Sequence, residues 1–177
     1  MRGSGNSGED DSLSWRRTDP FKDQFELVAG GRVLSTLNIG GSTILTAHIK
    51  LDRLAFRLRA EGVGSQRIRI EDAVDGEVVG HFDQRWSGRA GTLHLIEVGV
   101  LEWRQEGWWW RPSFVFTDRF GNPLVRLCSD GSVLELVLGD RGSLTDSWQG
   151  ALFLVSLGWF LLVVSGRARP PRLTLAG

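Results

Sequence analysis

The 177-residue sequence predicts a mainly β fold: a closed antiparallel β-barrel of about twelve strands enclosing one hydrophobic C-terminal α-helix. Three observations point there. Short runs alternate apolar and polar residues with period two, as in RIRIE (Arg67 to Glu71) and in LAFRLR, which sets Leu54, Phe56 and Leu58 on one face and Arg57 and Arg59 on the other. The runs are separated by Gly, Asp-Gly, Gly-Asn-Pro or Ser-Gly, residues that supply positive φ or preset turns. The stretch ALFLVSLGWFLLVV, Ala151 to Val164, has no charge in a chain that is 24% charged.

The opening MRGSGNSGEDD is polar, Gly/Ser-rich and acidic, and lacks the apolar core of a secretory signal. Residues 1–14 are therefore expected to be a disordered tail and residues 15–166 a single barrel domain. From Trp15 to Leu138 strand-like runs follow one another: FELVA, RVLSTL, ILTAHIKL, LAFRLR, RIRIE, VVGHF, TLHLIEV, VLEWR, FVFTD, LVRL and VLELVL. A degenerate motif, Gly-x-x-aliphatic-x-x-Leu/Phe, begins at Gly31, Gly76 and Gly121, two equal steps along the chain. Equal spacing suggests repeated hairpin units.

The helix is expected over about 147–165, followed by a basic C-terminal tail, 167–177. Its large apolar residues, Leu154, Leu157, Trp159 and Leu161 among them, cover every side, so the segment must be surrounded by protein or by lipid. Fourteen residues reach about 21 Å, short of the roughly 30 Å hydrocarbon core. Counting Trp148 to Gly166 gives about 28 Å, with Arg167, Arg169 and Arg172 where a positive-inside flank would lie. A tail-anchored protein with Trp148–Gly166 across the bilayer and a smaller soluble β-domain is thus the alternative. The plug is favoured because about eight strands already make a barrel that side chains just fill, so that about twelve need something larger inside.

Composition narrows the function classes. Lys plus Arg balance Asp plus Glu at 21 each, so no global pull towards nucleic acid is present and none is expected as a partner. Nineteen of the 21 basic residues are arginine, which the matching acids keep from being a nucleic-acid signature. Cys128 is the one cysteine, excluding an intramolecular disulfide and a cysteine-built zinc site and fitting a reducing, cytoplasmic compartment. A monomer is expected; no feature names a protein partner.

A run of strands closing in one hydrophobic helix resembles the Tubby C-terminal-like superfamily, which includes tubby proteins, phospholipid scramblases, plant LURP-one-related proteins and many bacterial members. The resemblance spans Trp15 to Val164 and rests on Trp148 to Val164 and on the hairpins with Asp75-Gly76 and Phe120-Gly121-Asn122. It implies a bacterial-type barrel with the helix threaded through it. The scramblase comparison lacks the cysteine-rich acylation segment, and the acidic positions before the helix, Asp140 and Asp146, are sparse.

Catalytic motifs are missing: there is no G-x-S-x-G, H-E-x-x-H, P-loop or Cys pair, and Gly62-Val63-Gly64 lacks the third glycine of a dinucleotide site. A non-enzymatic binding or scaffold module without cofactor is expected. His48, His81 and His94 fall in three different runs and read as isolated histidines, so no metal site is expected. Glu71, Asp72, Asp75 and Glu77 surround a turn without the alternating spacing of a calcium loop. Trp103, Trp108, Trp109 and Trp110 crowd one hairpin; core on one face and a barrel-end cap on the other is preferred to an aromatic lip at a ligand or membrane interface. The candidate lipid or anion site is a set of two Arg-x-Arg pairs, Arg57 with Arg59 and Arg67 with Arg69, projecting from one outer face of adjacent strands. They resemble in type the exterior basic pair with which tubby proteins hold phosphoinositide head groups. The resemblance implies contact with anionic membrane lipid, peripheral at the membrane.

Overall fold

The computed structural model describes residues 12–62, 66–85, 89–107, 110, 112–137 and 148–169. Twelve antiparallel strands form one sheet in which every strand pairs with the next: β1 Ser14–Asp19, β2 Asp23–Ala29, β3 Arg32–Gly40, β4 Thr46–Lys50, β5 Ala55–Ala60, β6 Arg67–Asp72, β7 Val78–Gln84, β8 Ala90–Leu95, β9 Gly99–Glu106, β10 Ser113–Thr117, β11 Pro123–Cys128 and β12 Val133–Leu136. Alternation dictates the faces. In β6 Ile68 and Ile70 point inward while Arg67 and Arg69 are exposed, and Phe25 with Leu27, Phe56 with Leu58, and Leu101 with Trp103 repeat the pattern around the wall.

The ring is nearly closed rather than fully laddered. Its seam is an isolated bridge between Ser14 and Ser132, with Trp15 N–H donating to Gly131 O at 3.0 Å and Val133 N–H to Leu13 O at 3.0 Å. Because Leu13 to Trp15 meet Gly131 to Val133 rather than the length of β12, few backbone groups among the described residues cross the seam.

The recurring glycines mark the same architectural point. Gly31, Gly76 and Gly121 sit in the β2–β3, β6–β7 and β10–β11 turns, four strands apart, with φ of 75°, 78° and 84°. Each of these hairpins also carries a register shift beside its turn, where the strand after the turn holds one extra residue: Leu34 opposite Leu27/Val28, Val79 opposite Ile70/Glu71 and Leu124 opposite Phe116/Thr117. Equivalent glycine turns thus recur every four strands along one continuous sheet, and further register shifts lie in the β1–β2 and β11–β12 pairs.

α1, Trp148–Val164, fills the barrel. Gly150 to Leu162 are all buried, Leu154, Leu157, Trp159 and Leu161 included. Trp159 stacks on Trp15 at 6.0 Å and meets Phe25 edge-on at 5.8 Å; Phe153 lies 4.5 Å from Phe56. The single hydroxyl proton of Ser156 goes to Leu152 O (2.8 Å), so Ser35 of β3 donates to Ser156 Oγ (2.7 Å), a buried polar tie between helix and wall. At Gly158 the helix backbone comes so close to the wall that an added Cβ would stand 2.4 Å from Leu127 Cδ1 and 3.2 Å from the Trp103 ring.

The helix stops at Gly166, φ 67°. Gly166 N–H returns to Val163 O and Arg167 N–H to Leu162 O, the paired bonds of a Schellman cap. Arg169 N–H then bonds Ser129 O, so the start of the basic tail is tied to the wall. No helix among the described residues is long and apolar enough to cross a membrane, and α1 has protein on every side of its buried core. Residues 1–11 and 170–177, most of the two expected tails, lie outside the described residues, as do Trp108, Trp109, Asp140 and Asp146.

Candidate functional site: the outer wall of β5 to β8

With the interior occupied, a ligand is left the barrel mouths and the outer wall. One mouth holds a cleft of about 270 Å³ walled by Phe56, Leu95 and Phe153 and rimmed by Asp72, Glu77 and Glu97. That rim repels anions. Of the tryptophans, Trp103 is core, 5.5 Å from Phe114 and 4.6 Å from Phe116, and Trp110 is exposed.

The four candidate arginines do share one outer face. Arg59 stands directly opposite Arg69 across β5 and β6, and Arg57 opposite Glu71. Register, however, brings acids among them. Arg57 Nη1 is 3.8 Å from Glu71; Arg69 donates from Nε and Nη2 to Glu61 at 3.0 Å and lies 3.9 Å from Glu71; Arg67 grips Asp83 with Nε at 2.6 Å and Nη2 at 3.1 Å. Four guanidinium groups thus face three carboxylates, and the excess charge resides on Arg59, which has no ion pair among the described residues. Arg59 and Arg69 line a shallow groove with Ile44, Ala60, Glu61 and Gly62.

One strand further on, the histidines depart from the isolation expected of them. His81 of β7 pairs directly with His94 of β8, their rings stacked 4.6 Å apart at 16°. Asp83, two residues along β7 and therefore on the same face, stands beside both, 3.5 Å from His81 Nε2 and 3.9 Å from His94 Nε2 through its Oδ2. The hydrogen bond from Arg67 holds the Asp83 carboxyl below its ordinary range, outweighing the opposing effect of partial burial. His48 remains exposed on β4, opposite Arg57.

The acidic turn is a capped hairpin. Asp72 Oδ1 accepts from Val74 N–H at 2.7 Å and Asp75 Oδ1 from Glu77 N–H at 2.8 Å, the side-chain turns typical of aspartate. A further ion cluster joins Arg126 to Glu106 and to Glu135 (3.1 Å), tying β9, β11 and β12 together; Arg126 holds Glu106 below its usual carboxylate range.

The arginine face was legible from alternation. The neutralising acids and the histidine pair were not, because both depend on which residue of one strand faces which of the next. Comparison with family models, curated proteins and solved structures finds no match to this chain.

Proposed function

We propose that this protein is a non-enzymatic binding module of Tubby C-terminal-like type, which holds anionic lipid head groups, phosphoinositides foremost, on the outer wall at Arg59 and Arg69. The observation that carries the reading is the direct opposition of these two guanidinium groups in one groove, with Arg59 free of any ion pair among the described residues. Two guanidinium groups so opposed suit a phosphate monoester, which takes the open Arg59 fork and competes with Glu61 for that of Arg69. The filled barrel favours a ligand held outside over one enclosed. In this reading the protein works as a monomer, in the cytoplasm and peripherally at the membrane, and needs no cofactor.

Each arginine near an anionic surface adds about 1 kcal/mol, and salt screens that attraction over about 10 Å at 0.1 M. Salt sensitivity alone therefore does not define a site, and head-group discrimination does. Liposomes of equal total charge carrying phosphoinositide or phosphatidylserine should be compared with the wild type and with Arg59→Gln plus Arg69→Gln. The wild type should prefer phosphoinositide, and the double variant should lose that preference while melting normally. Equal binding by both proteins on both surfaces would remove the lipid reading.

A further inference from the structure

We propose that His81, His94 and Asp83 form a binding site on the outer wall for a borderline divalent transition metal of the zinc or copper type. The site is built by register. Direct pairing of His81 with His94 and the two-residue step to Asp83 gather three donors on one patch above β7 and β8, with all three ligand atoms within 4.8 Å of one another. Both imidazole Nε2 atoms face the same carboxylate oxygen, at 3.5 and 3.9 Å. These distances exceed ordinary hydrogen bonds. They approach the edge of about 3.3–3.4 Å between ligands in a tetrahedron with metal bonds of 2.0–2.1 Å. Coordination takes side-chain rotations that unstack the two rings and turn both nitrogens towards the metal, which the exposure of the groups permits: 36% for His81, 40% for His94 and 36% for Asp83.

The donor types agree with that choice. Two neutral imidazoles and one carboxylate favour zinc, copper or nickel over magnesium or calcium, which take oxygen ligands. Water would complete the coordination. The Arg67 fork fixes the carboxylate as outer partners of metal-bound carboxylates do, and keeps it ionised. Arg67 and, opposite His81, Arg69 also repel a cation. The site is consequently one that takes up and releases its metal rather than a permanent structural centre. None of its three ligands lines the Arg59 groove, so loss of head-group binding in the Arg59→Gln, Arg69→Gln protein leaves it standing.

The test uses the full chain without a polyhistidine tag. Zinc affinity is measured by competition with a chromophoric chelator, and bound copper by electron paramagnetic resonance. The wild type should bind one zinc per chain, and its copper spectrum should show two coupled nitrogens. His81→Ala and His94→Ala should each weaken zinc about tenfold or more and leave a single coupled nitrogen, whereas His48→Ala should match the wild type. His94→Gln, which keeps polar bulk, serves if the alanine variant melts early. No zinc binding by the wild type, or equal affinity in the wild type and both β7–β8 histidine variants, would overturn the site.

Discussion

Gly158 shows how one residue sets the fit between plug and wall. A glycine inside a helix costs about 1 kcal/mol relative to alanine, and this one stands where Leu127 and Trp103 leave no room for a Cβ. Gly158→Val should lower stability by about 1–3 kcal/mol through overpacking, read as a lower urea midpoint; an unchanged midpoint would mean that the helix does not approach β9 and β11 this closely. The same scale shows where sequence reading stops. That Arg57, Arg59, Arg67 and Arg69 project outward follows from period-two alternation. That Glu71 faces Arg57, Asp83 faces Arg67 and His94 faces His81 follows from strand register, which bulges shift by one residue at a time and which no local pattern encodes.

At the scale of elements, the strands and the helix were largely legible, since a polar and an apolar face on each strand and apolar residues all around the helix admit few arrangements. The spaced glycines located three equivalent hairpins, and the bulge beside each turn came to light only in the structure. The Schellman stop at Gly166 also had a readable signal, a glycine closing an apolar run. The helix tolerates no charge in its middle. Leu157 is fully buried, and Leu157→Asp would enclose an unpaired carboxylate at a cost of several kcal/mol, comparable with the 5–15 kcal/mol that holds a typical domain together. The variant should give no cooperative melt, while Leu134→Asp, at an exposed position on β12, should melt like the wild type. A well-folded Leu157→Asp protein would show that the helix is an appendage.

For the whole molecule, the decisive relation is between a wide wall and the helix that fills it. Twelve strands closed by a seam of few backbone bonds depend on the interior: Trp159 against Trp15 and Phe25, Phe153 against Phe56, Ser156 against Ser35. That dependence makes the barrel and the helix one cooperative unit. The anchor alternative assigns the helix to lipid and leaves the wall to fold without it. Native-state hydrogen exchange of the full chain in detergent-free buffer separates the two most directly. If the helix is the plug, the amides of Leu152 to Leu162 exchange only through global unfolding, as slowly as those of Ile49, Leu58 and Ile70 in β4 to β6 and with the same dependence on denaturant. Rapid exchange along the helix while those strands stay protected would contradict it.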